Sequence, residues 1–435
     1  MSAKSRAARN FAAAFLAGSW SLADLVDRGS QACGRRERWL RSLARRVFQA
    51  FVPPATPPDE EKLACFIEAD NGFGRAWAQG KVTQHRFFWV VPKMGRAQGA
   101  SAAWDVPSLP TPAALAQWLQ IELRHLDWFA DAKGWERVAP PGGLRHYSYR
   151  WQVGQSGKRR LLEVPKSQLK AIQRRLLHEI LERIPPHGAA HGYRRGRSVA
   201  TYSLPHCGQA IVLRFDLRHY FPSVAGSRVH ALFRAAGYPR EVARLLTGLC
   251  TNVVPAEVFD GQSDKELWSR YRSPHLPQGS PTSPALANLC SYRLDCRLAG
   301  LAQAMNARYT RYADDLAFSG GVELERSARR FQVLVCRIAL EEGFEVNTRK
   351  SRFMRQGVRQ QLAGVVLNQR LNMRRVEFDR LKAILNNCQR YGPASQNREG
   401  RKDFKAYLAG RIAYVAMLNA ERAQRLRAQF ERVAW

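Results

Sequence analysis

The chain has 435 residues, and its 69 Lys and Arg against 36 Asp and Glu give a formal net charge of +33. Such an excess predicts a polyanionic partner, whose binding weakens as salt rises. No run of about 18 apolar residues occurs, which argues against a membrane-spanning helix, and the 8 scattered cysteines favour a cytoplasmic protein with reduced thiols over a disulfide scaffold or zinc ribbon.

Residues 1–51 are predicted to form a basic helical segment. Apolar residues recur there with the period of a helix, and arginines fill the positions between them. The apolar positions are Trp39, Leu40, Leu43, Val47 and Phe48. One face of such a helix packs, and the other meets phosphates or water. The proline-rich residues 53–58 then break the helix and indicate a semi-rigid linker.

Residues 52–143 form an N-terminal extension whose role the sequence does not specify. Residues 87–91 are typical of a strand, and residues 112–128 are predicted to form a helix with Thr111 as its N-cap. Glycine and proline punctuate the rest of the extension.

The chain from Leu144 onward is predicted to be rich in helices. Their apolar spacing places them at residues 168–184, 227–236, 241–250, 283–304, 325–343, 376–391 and 402–435. Pro185 and Pro186 stop the first of these helices, and Gly343 is the expected C-cap of the fifth.

Three carboxylates are the strongest chemical signal in the chain. Asp314 and Asp315 are adjacent in an apolar setting, and Asp216 ends a predicted buried strand at residues 211–217. Buried carboxylates repel one another unless a cation neutralises them. A tight hairpin at the acidic pair would bring all three to one cluster. Such a cluster suits two Mg²⁺ ions roughly 3.5–4 Å apart and in-line phosphoryl transfer. Taken singly, the pair is also compatible with a solvated turn and Asp216 with a helix N-cap.

An ordered series of motifs resembles the reverse transcriptases, and among them the bacterial retron-type enzymes. The series spans roughly residues 144–372, and several blocks in the family's order are far more specific than any one block. The blocks are 158–165 (KRRLLEVP), 190–198 (AHGYRRGRS), 215–216 (FD), 276–284 (LPQGSPTSP), 312–315 (YADD), 343–350 (GFEVNTRK) and 362–368 (LAGVVLN).

The resemblance implies an α+β fold, the right-hand polymerase. Fingers and palm, the latter an antiparallel sheet with helices, would occupy residues 144–372, and a helical thumb residues 373–435. The mixed N-terminal extension would precede them. Arginines of the thumb would grip the backbone of a nucleic-acid duplex.

The resemblance also implies the metal-binding and catalytic residues. Asp216 and Asp314 would bridge two Mg²⁺ ions, for which Mn²⁺ can substitute, with Asp315 and the Leu217 carbonyl as further ligands. Lys350 would donate a proton to the departing pyrophosphate.

A further set of residues would contact the incoming nucleotide. Arg160 and Lys158 would meet the triphosphate through charge-assisted bonds. Phe221 would be the steric gate that crowds a ribose 2′-hydroxyl, a role its spacing from Asp216 favours over Tyr220. The members of the set are Lys158, Arg160, Phe221, Gln278, Gly279 and Tyr312, of which Tyr312 is equally compatible with the core.

Two departures from the retron pattern concern the RNA rather than the chemistry. Leu362-Ala363-Gly364 stands where retron enzymes carry a Val-Thr-Gly triplet, and only His206 remains of an Asn-Ala-x-x-His element. They leave open which RNA is used and whether its 2′-hydroxyl primes synthesis.

The resemblance implies an RNA-directed DNA polymerase that copies a cognate structured noncoding RNA into RNA-linked DNA from deoxynucleoside triphosphates. A retron-like role in phage defence, with an effector or toxin protein as a further partner, would follow. The alternatives are a template-independent or protein-primed nucleotidyl transferase on the same fold, a non-catalytic RNA-binding scaffold, an RNA-templated RNA polymerase and a group II intron enzyme.

Overall fold

The structure, a computed structural model, describes residues 2–18, 20–51, 58–83, 94–95, 104–154, 159–260 and 265–435. The predicted strand at residues 87–91, most of the predicted linker and Lys158 lie outside the described residues. The chain divides into two compact units, one of Met1–Pro185 with Val224–Leu286 and one of Pro186–Ser223 with Ala287–Trp435. The domain boundaries after residues 51, 143 and 372 stay predictions.

The described residues form helices and short strands in an α+β arrangement, as predicted. The helices are α1 (Ala3–Leu16), α2 (Leu22–Cys33), α3 (Arg38–Ala50), α4 (Glu60–Ala69), α5 (Asn71–Ala78), α6 (Pro112–Leu119), α7 (Leu123–Phe129), α8 (Ser167–Glu179), α9 (Val199–Ser203), α10 (Gly226–Ala235), α11 (Arg240–Cys250), α12 (Lys265–Tyr271), α13 (Ser283–Cys290), α14 (Tyr292–Ala304), α15 (Val322–Glu341), α16 (Arg375–Tyr391), α17 (Phe404–Leu418) and α18 (Ala420–Glu431). The strands are β1 (Tyr147–Val153), β2 (Arg159–Pro165), β3 (Ile211–Arg218), β4 (Arg308–Tyr312), β5 (Asp315–Gly320), β6 (Glu345–Val346), β7 (Arg352–Arg355), β8 (Gln361–Leu362) and β9 (Val365–Val366).

The first unit begins with helices α1 to α5, which share one apolar core. Phe11 of α1 and Phe73 of α5 are buried in it, with ring centroids 5.9 Å apart. The helical character expected for residues 1–51 is present as α1, α2 and α3. The Ser21 side chain caps α2, and Gly34 ends the helix in the left-handed conformation.

Three predictions of a single continuous helix were wrong, because each segment is broken into two helices. Residues 112–128 are interrupted at Gln120, which has a φ of 60°, although Thr111 caps the first half as predicted. Residues 402–435 are interrupted at Asn419, which is extended and caps α18 with its side chain. Residues 283–304 are interrupted at Ser291, between α13 and α14.

The other predicted helices are observed within a few residues of their expected ends. Residues 227–236 form α10, residues 241–250 form α11, residues 325–343 lie in and just beyond α15, and residues 376–391 form α16. The helix expected at residues 168–184 begins as α8 and closes with a 3₁₀ turn at Leu181–Arg183.

The second unit contains a five-stranded sheet in the order β4-β5-β3-β6, with β7 also paired to β3. Every pair in it is antiparallel. Phe215 of β3 packs on Phe318 of β5 with ring centroids 5.9 Å apart, and Phe318 packs on Phe331 of α15 at 5.0 Å. The strand predicted at residues 211–217 and the hairpin predicted at the acidic pair are confirmed, the latter by the pairing of Tyr312 with Asp315.

The C-terminal helices of this unit pack with the β8–β9 pair in a separate apolar core. Leu385 of α16, Leu408 of α17 and Leu426 of α18 are almost completely buried there, together with Leu362 of β8. This burial explains why the segment folds although much of its surface is charged.

One arginine ties the parts of the second unit together. Arg311 of β4 is fully buried and pairs with Asp295 of α14 through two bonds, Nε to Oδ1 at 2.7 Å and Nη2 to Oδ2 at 2.6 Å. Its Nη1 donates to the Tyr220 hydroxyl at 2.7 Å, to Asn288 Oδ1 at 2.9 Å and to the Ala313 carbonyl at 3.1 Å. Burial disfavours this charge, but Asp295 and the neighbouring tyrosine hydroxyls together raise the pKa of Arg311. Arg311 therefore anchors the turn between β4 and β5 through the Ala313 carbonyl.

Replacing Arg311 by Met should destabilise the protein by about 3–5 kcal/mol, because Asp295 would stay buried without its cation. The matched control is Arg308→Met in the same strand, where the side chain is exposed and the expected loss is about 0.5 kcal/mol. Urea unfolding of both variants measures the difference. The Arg311→Met/Asp295→Leu double variant should regain much of the loss. Equal stability of the Arg311→Met and Arg308→Met variants would contradict this role for Arg311.

Candidate active site

Three carboxylates meet at one end of the β3–β5 pair. Asp216 and Asp315 are directly opposite in the antiparallel register, so their side chains lie on the same face of the sheet. Asp314 lies in the two-residue turn before β5, where its carbonyl accepts the amide of Leu217 at 2.9 Å. The proximity of Asp216 to the acidic pair, expected from the sequence, is therefore present.

The turn that carries Asp314 has an unusual backbone. Ala313 has a φ of 55°, in the left-handed region that two-residue hairpin turns require and that alanine rarely adopts. A Cβ on Gly192 would lie 2.6 Å from the Ala313 nitrogen, so only glycine allows this approach. Asn288 Nδ2 holds the Gly192 carbonyl at 2.8 Å. Gly192 of the 190–198 block thus supports the turn by close packing.

Two cations pair with two of the three carboxylates. The Lys350 ammonium lies 3.0 and 3.1 Å from the two carboxylate oxygens of Asp216. The Arg214 guanidinium donates from Nη2 to both oxygens of Asp315, at 2.6 and 2.9 Å, and from Nε to Oδ1 at 2.9 Å. Lys350 is half exposed, whereas Asp216 and Asp315 are mostly buried.

Burial and the closeness of the other carboxylates shift the pKa values of Asp314 and Asp315. Burial, and then the charges of Asp315 and Asp216, raise the pKa of Asp314 to about 6. Burial also raises the pKa of Asp315, although Arg214 opposes the shift. A site that raises the pKa of carboxylates in this way gains from any added positive charge.

The donor chemistry of these residues fits a hard divalent cation, since carboxylate oxygens are its preferred ligands. Asp216 and Asp314 fit best. The Asp216 carboxylate is paired with the half-exposed Lys350. The charges that act most strongly on Asp314 are the carboxylates of Asp315 and Asp216. Both oxygens of Asp315 are held by Arg214. Within the described part of the chain, no three Asp, Glu, His or Cys side chains converge on one metal position. The ligand role of Asp315 and of the Leu217 carbonyl stays a prediction.

The aromatic residues near the acids differ in orientation. Tyr220 is buried, and its hydroxyl is 3.1 Å from the Ala287 carbonyl as well as bonded to Arg311. Phe221 is half-buried beside Tyr193, with ring centroids 6.1 Å apart. Tyr312 is half-buried against the C-terminal core and lies 5.6 Å from the Tyr202 ring. Of Tyr220 and Phe221, Phe221 is thus the one with a partly accessible ring.

The other predicted nucleotide contacts belong to the first unit. Arg160 is exposed near the start of β2. The Glu163 amide in the same strand donates to the Gln278 carbonyl at 2.9 Å. Gly279 has a φ of 139°, and a Cβ there would lie 2.7 Å from the Glu163 carbonyl. Strand β2 and the Gln278–Gly279 loop are therefore neighbours, and glycine is required at the contact.

Sequence reasoning missed two residues that touch the carboxylates. Arg214 precedes Asp216 by two positions in β3, and strand alternation alone puts both side chains on one face. That signal was available. Asn347 donates its amide to the Asp216 carbonyl at 2.7 Å, and its Nδ2 lies 3.5 Å from Asp216 Oδ2. This contact depends on the β3–β6 pairing, which no local pattern predicts.

Residues 152–378, the stretch that holds this cluster, match the family model described as reverse transcriptase (RNA-dependent DNA polymerase). The chain belongs to the reverse transcriptase family. Its sequence places it with the retron type, as expected from the motif series. Members of this family are RNA-directed DNA polymerases. None of the described helices has the length and apolarity to cross a membrane.

Curated relatives of this reverse transcriptase come from several retrons. It is 40% identical over 326 residues to the retron Mx65 reverse transcriptase of Myxococcus xanthus. The matched stretch covers 75% of this chain and 72% of that protein. The retron Mx162 enzyme of the same organism is 36% identical, with 68% and 60% covered. The retron Ec86 enzyme of Escherichia coli is 30% identical, with 53% and 65% covered.

Replacing Arg214 by Gln should destabilise this reverse transcriptase in EDTA by about 1.5–3 kcal/mol, because a mostly buried carboxylate loses its charged donor. Added Mg²⁺ should narrow the gap to the wild type, since it can replace the missing positive charge. Urea unfolding with EDTA and with Mg²⁺ measures both effects. The control is Arg355→Gln, whose partner is Glu325 and whose side chain is 71% exposed. A gap that Mg²⁺ leaves unchanged would refute the charge-balance argument.

Proposed function

We propose that this chain adds deoxynucleotides to a 3′- or 2′-hydroxyl by two-metal phosphoryl transfer, copying a cognate structured RNA into RNA-linked DNA. The observation that carries the proposal is the cluster of Asp216, Asp314 and Asp315 at one end of the β3–β5 pair. A retron-like system for phage defence, with an effector protein, would be its setting. The excess of 33 positive charges suits an RNA partner.

Asp216 and Asp314 are the residues that would hold the cations, Mg²⁺ or in its place Mn²⁺. When bound, two such ions supply the charge that activates the attacking hydroxyl and offsets the charge on the leaving pyrophosphate. Arg214 keeps the Asp315 carboxylate neutralised and fixes the start of β5. The backbone hydrogen bond from Leu217 to Asp314 fixes the turn that carries Asp314 beside the end of β3, where Asp216 lies.

Lys350 is the proposed proton donor to the leaving pyrophosphate. Its side chain is 48% exposed and reaches the carboxylates from a short 3₁₀ turn at Thr348–Lys350. Because the ammonium already lies 3.0 Å from Asp216, it needs little movement to reach a group bound there. A positioned acid of this kind adds typically 10²–10⁴-fold to a rate.

A set of residues named from the sequence is proposed to select the nucleotide. Phe221, the half-buried ring after β3, is the proposed gate against a 2′-hydroxyl, which is the group that distinguishes RNA from DNA. Arg160 would pair with the triphosphate. Gln278 and Gly279 would lie under the base and sugar, where the absence of a Cβ allows close approach.

Replacing Asp314 by Asn should slow primer extension on an RNA template with Mg²⁺ by at least about a hundredfold, because a carboxylate that would hold the cations is lost. The exposed Asp127 of α7 supplies the control Asp127→Asn, which should extend normally. Near-normal synthesis by Asp314→Asn would end the proposal. Homopolymer made by the wild type without a template would instead select the nucleotidyl transferase.

Replacing Phe221 by Val should raise ribonucleotide incorporation relative to deoxynucleotide incorporation, since a smaller side chain leaves room for the 2′-hydroxyl. The ratio of kcat/KM for the two nucleotides measures the effect, and about a tenfold change corresponds to 1.4 kcal/mol of discrimination. Phe353→Val, at a partly exposed ring on β7, is the control. Unaltered discrimination in Phe221→Val would remove Phe221 from the gate.

A further inference from the structure

A buried ion pair lies directly behind the Gln278–Gly279 loop. His275 and Glu163 are 1% and 0% exposed. The His275 Nε2 is 3.1 and 3.2 Å from the two carboxylate oxygens of Glu163, and its Nδ1 is 2.8 Å from the Ser273 carbonyl. Both ring nitrogens thus face acceptors, which only the doubly protonated imidazolium satisfies. Burial alone would lower the pKa of His275, but Glu163 outweighs it and the pKa is raised.

The Glu163 carboxylate has further donors. Asn252 Nδ2 donates to its Oε2 at 2.8 Å, and the Gln278 amide donates to its Oε1 at 3.4 Å. The main chains of Asn252 and His275 exchange two hydrogen bonds, at 3.0 and 3.1 Å. The carboxylate, which β2 carries, is therefore the common acceptor for His275, for Asn252 and for the amide of Gln278.

The far side of the same loop is held by uncharged groups. Ser280 Oγ donates to Gln173 Oε1 at 2.9 Å, and Gln173 Nε2 donates to the Leu249 carbonyl at 2.9 Å. Ser283 Oγ donates to the Pro277 carbonyl at 2.7 Å. The charged pair is thus not needed to close the loop, which already has neutral anchors at its C-terminal end. Its distinct effect is on the amide of Gln278.

A buried ion pair is weak support for stability, because an apolar pair of similar volume often serves as well. A reason to keep one is that it fixes a particular geometry. Here the charged acceptor aims the Gln278 amide inward, while the Glu163 amide holds the Gln278 carbonyl. Gly279 then passes the β2 backbone at a distance that excludes a Cβ.

We infer that the Glu163–His275 pair is a positioning device that holds the Gln278–Gly279 loop in the shape that receives an incoming deoxynucleotide. Glu163 and His275 are positioning residues, because they act through Gln278. The inference rests on the proposed function, since that function assigns the nucleotide to this loop.

Two variants of the full chain separate positioning from stability. His275→Gln leaves Glu163 buried without a cation and should lower stability. The double variant Glu163→Gln/His275→Gln removes both charges and keeps the volumes, so stability should return. The Gln278 amide then faces a neutral acceptor. We therefore expect the KM for deoxynucleotide to be about tenfold higher than in the wild type, equivalent to 1.4 kcal/mol. The kcat should remain within about twofold of the wild-type value.

Hydrogen–deuterium exchange of the peptide 275–283 in the full chain gives a readout that does not depend on activity. Exchange at the Gln278 and Gly279 amides should be faster in both variants, including the double variant whose stability is restored. The control is His146→Gln in the same unit, a buried histidine whose Nε2 lies 2.7 Å from the Trp128 carbonyl. This control should lower stability and leave both the KM and the exchange of peptide 275–283 unchanged.

The outcomes separate the two proposals. An active wild type together with a double variant of normal KM and normal loop exchange overturns the positioning role and leaves the proposed function standing. A double variant that does not regain stability, or whose kcat falls while its KM is normal, also overturns it. A wild type that incorporates no deoxynucleotide on an RNA template overturns the proposed function and this inference with it.

Discussion

The buried guanidinium of Arg311 is the constraint on which the geometry of the second unit depends. Its five hydrogen bonds connect β4 with α14 through Asp295, with α13 through Asn288, and with the β4–β5 turn through the Ala313 carbonyl. A fifth element, the turn after β3, joins through the Tyr220 hydroxyl. Since one planar group satisfies all of these acceptors, none of the four segments can shift without leaving a buried polar group unpaired.

This rigid network keeps the three carboxylates close together despite their repulsion. Burial and mutual repulsion act against ionised Asp314 and its neighbours, so the cluster would relax apart if the backbone allowed it. The Arg311 bond to the turn and the register of β3 with β5 prevent this. Lys350 and Arg214 then reduce the repulsion between the carboxylates by pairing with Asp216 and Asp315. The half-exposed Lys350 is more easily displaced than Arg214, and Asp216 is therefore more open to an added cation than Asp315.

The parts that sequence predicted are those with a local pattern. The β3 strand follows from a continuous apolar run that ends in Asp216, and the hairpin from the acidic pair between two strand-like runs. The breaks at Gln120 and Ser291 have no such signal, because neither residue is a typical helix breaker. The Arg311–Asp295 pair is invisible for another reason. A buried arginine looks like a surface one until the tertiary fold encloses it.

Each of the two units contains a buried ion pair that bonds to the backbone of a loop. Each must keep a loop in a shape that residues with side chains rarely adopt, with Ala313 left-handed in one and Gly279 at a φ of 139° in the other. Neutral hydrogen bonds close such loops, but they are individually weak, with a net value near 1 kcal/mol. Arg311–Asp295 and Glu163–His275 each place a charged group on the backbone of the loop, 3.1 Å from the Ala313 carbonyl and 3.4 Å from the Gln278 amide. The charge in each pair is thus better explained by the backbone group it orients than by the stability it adds.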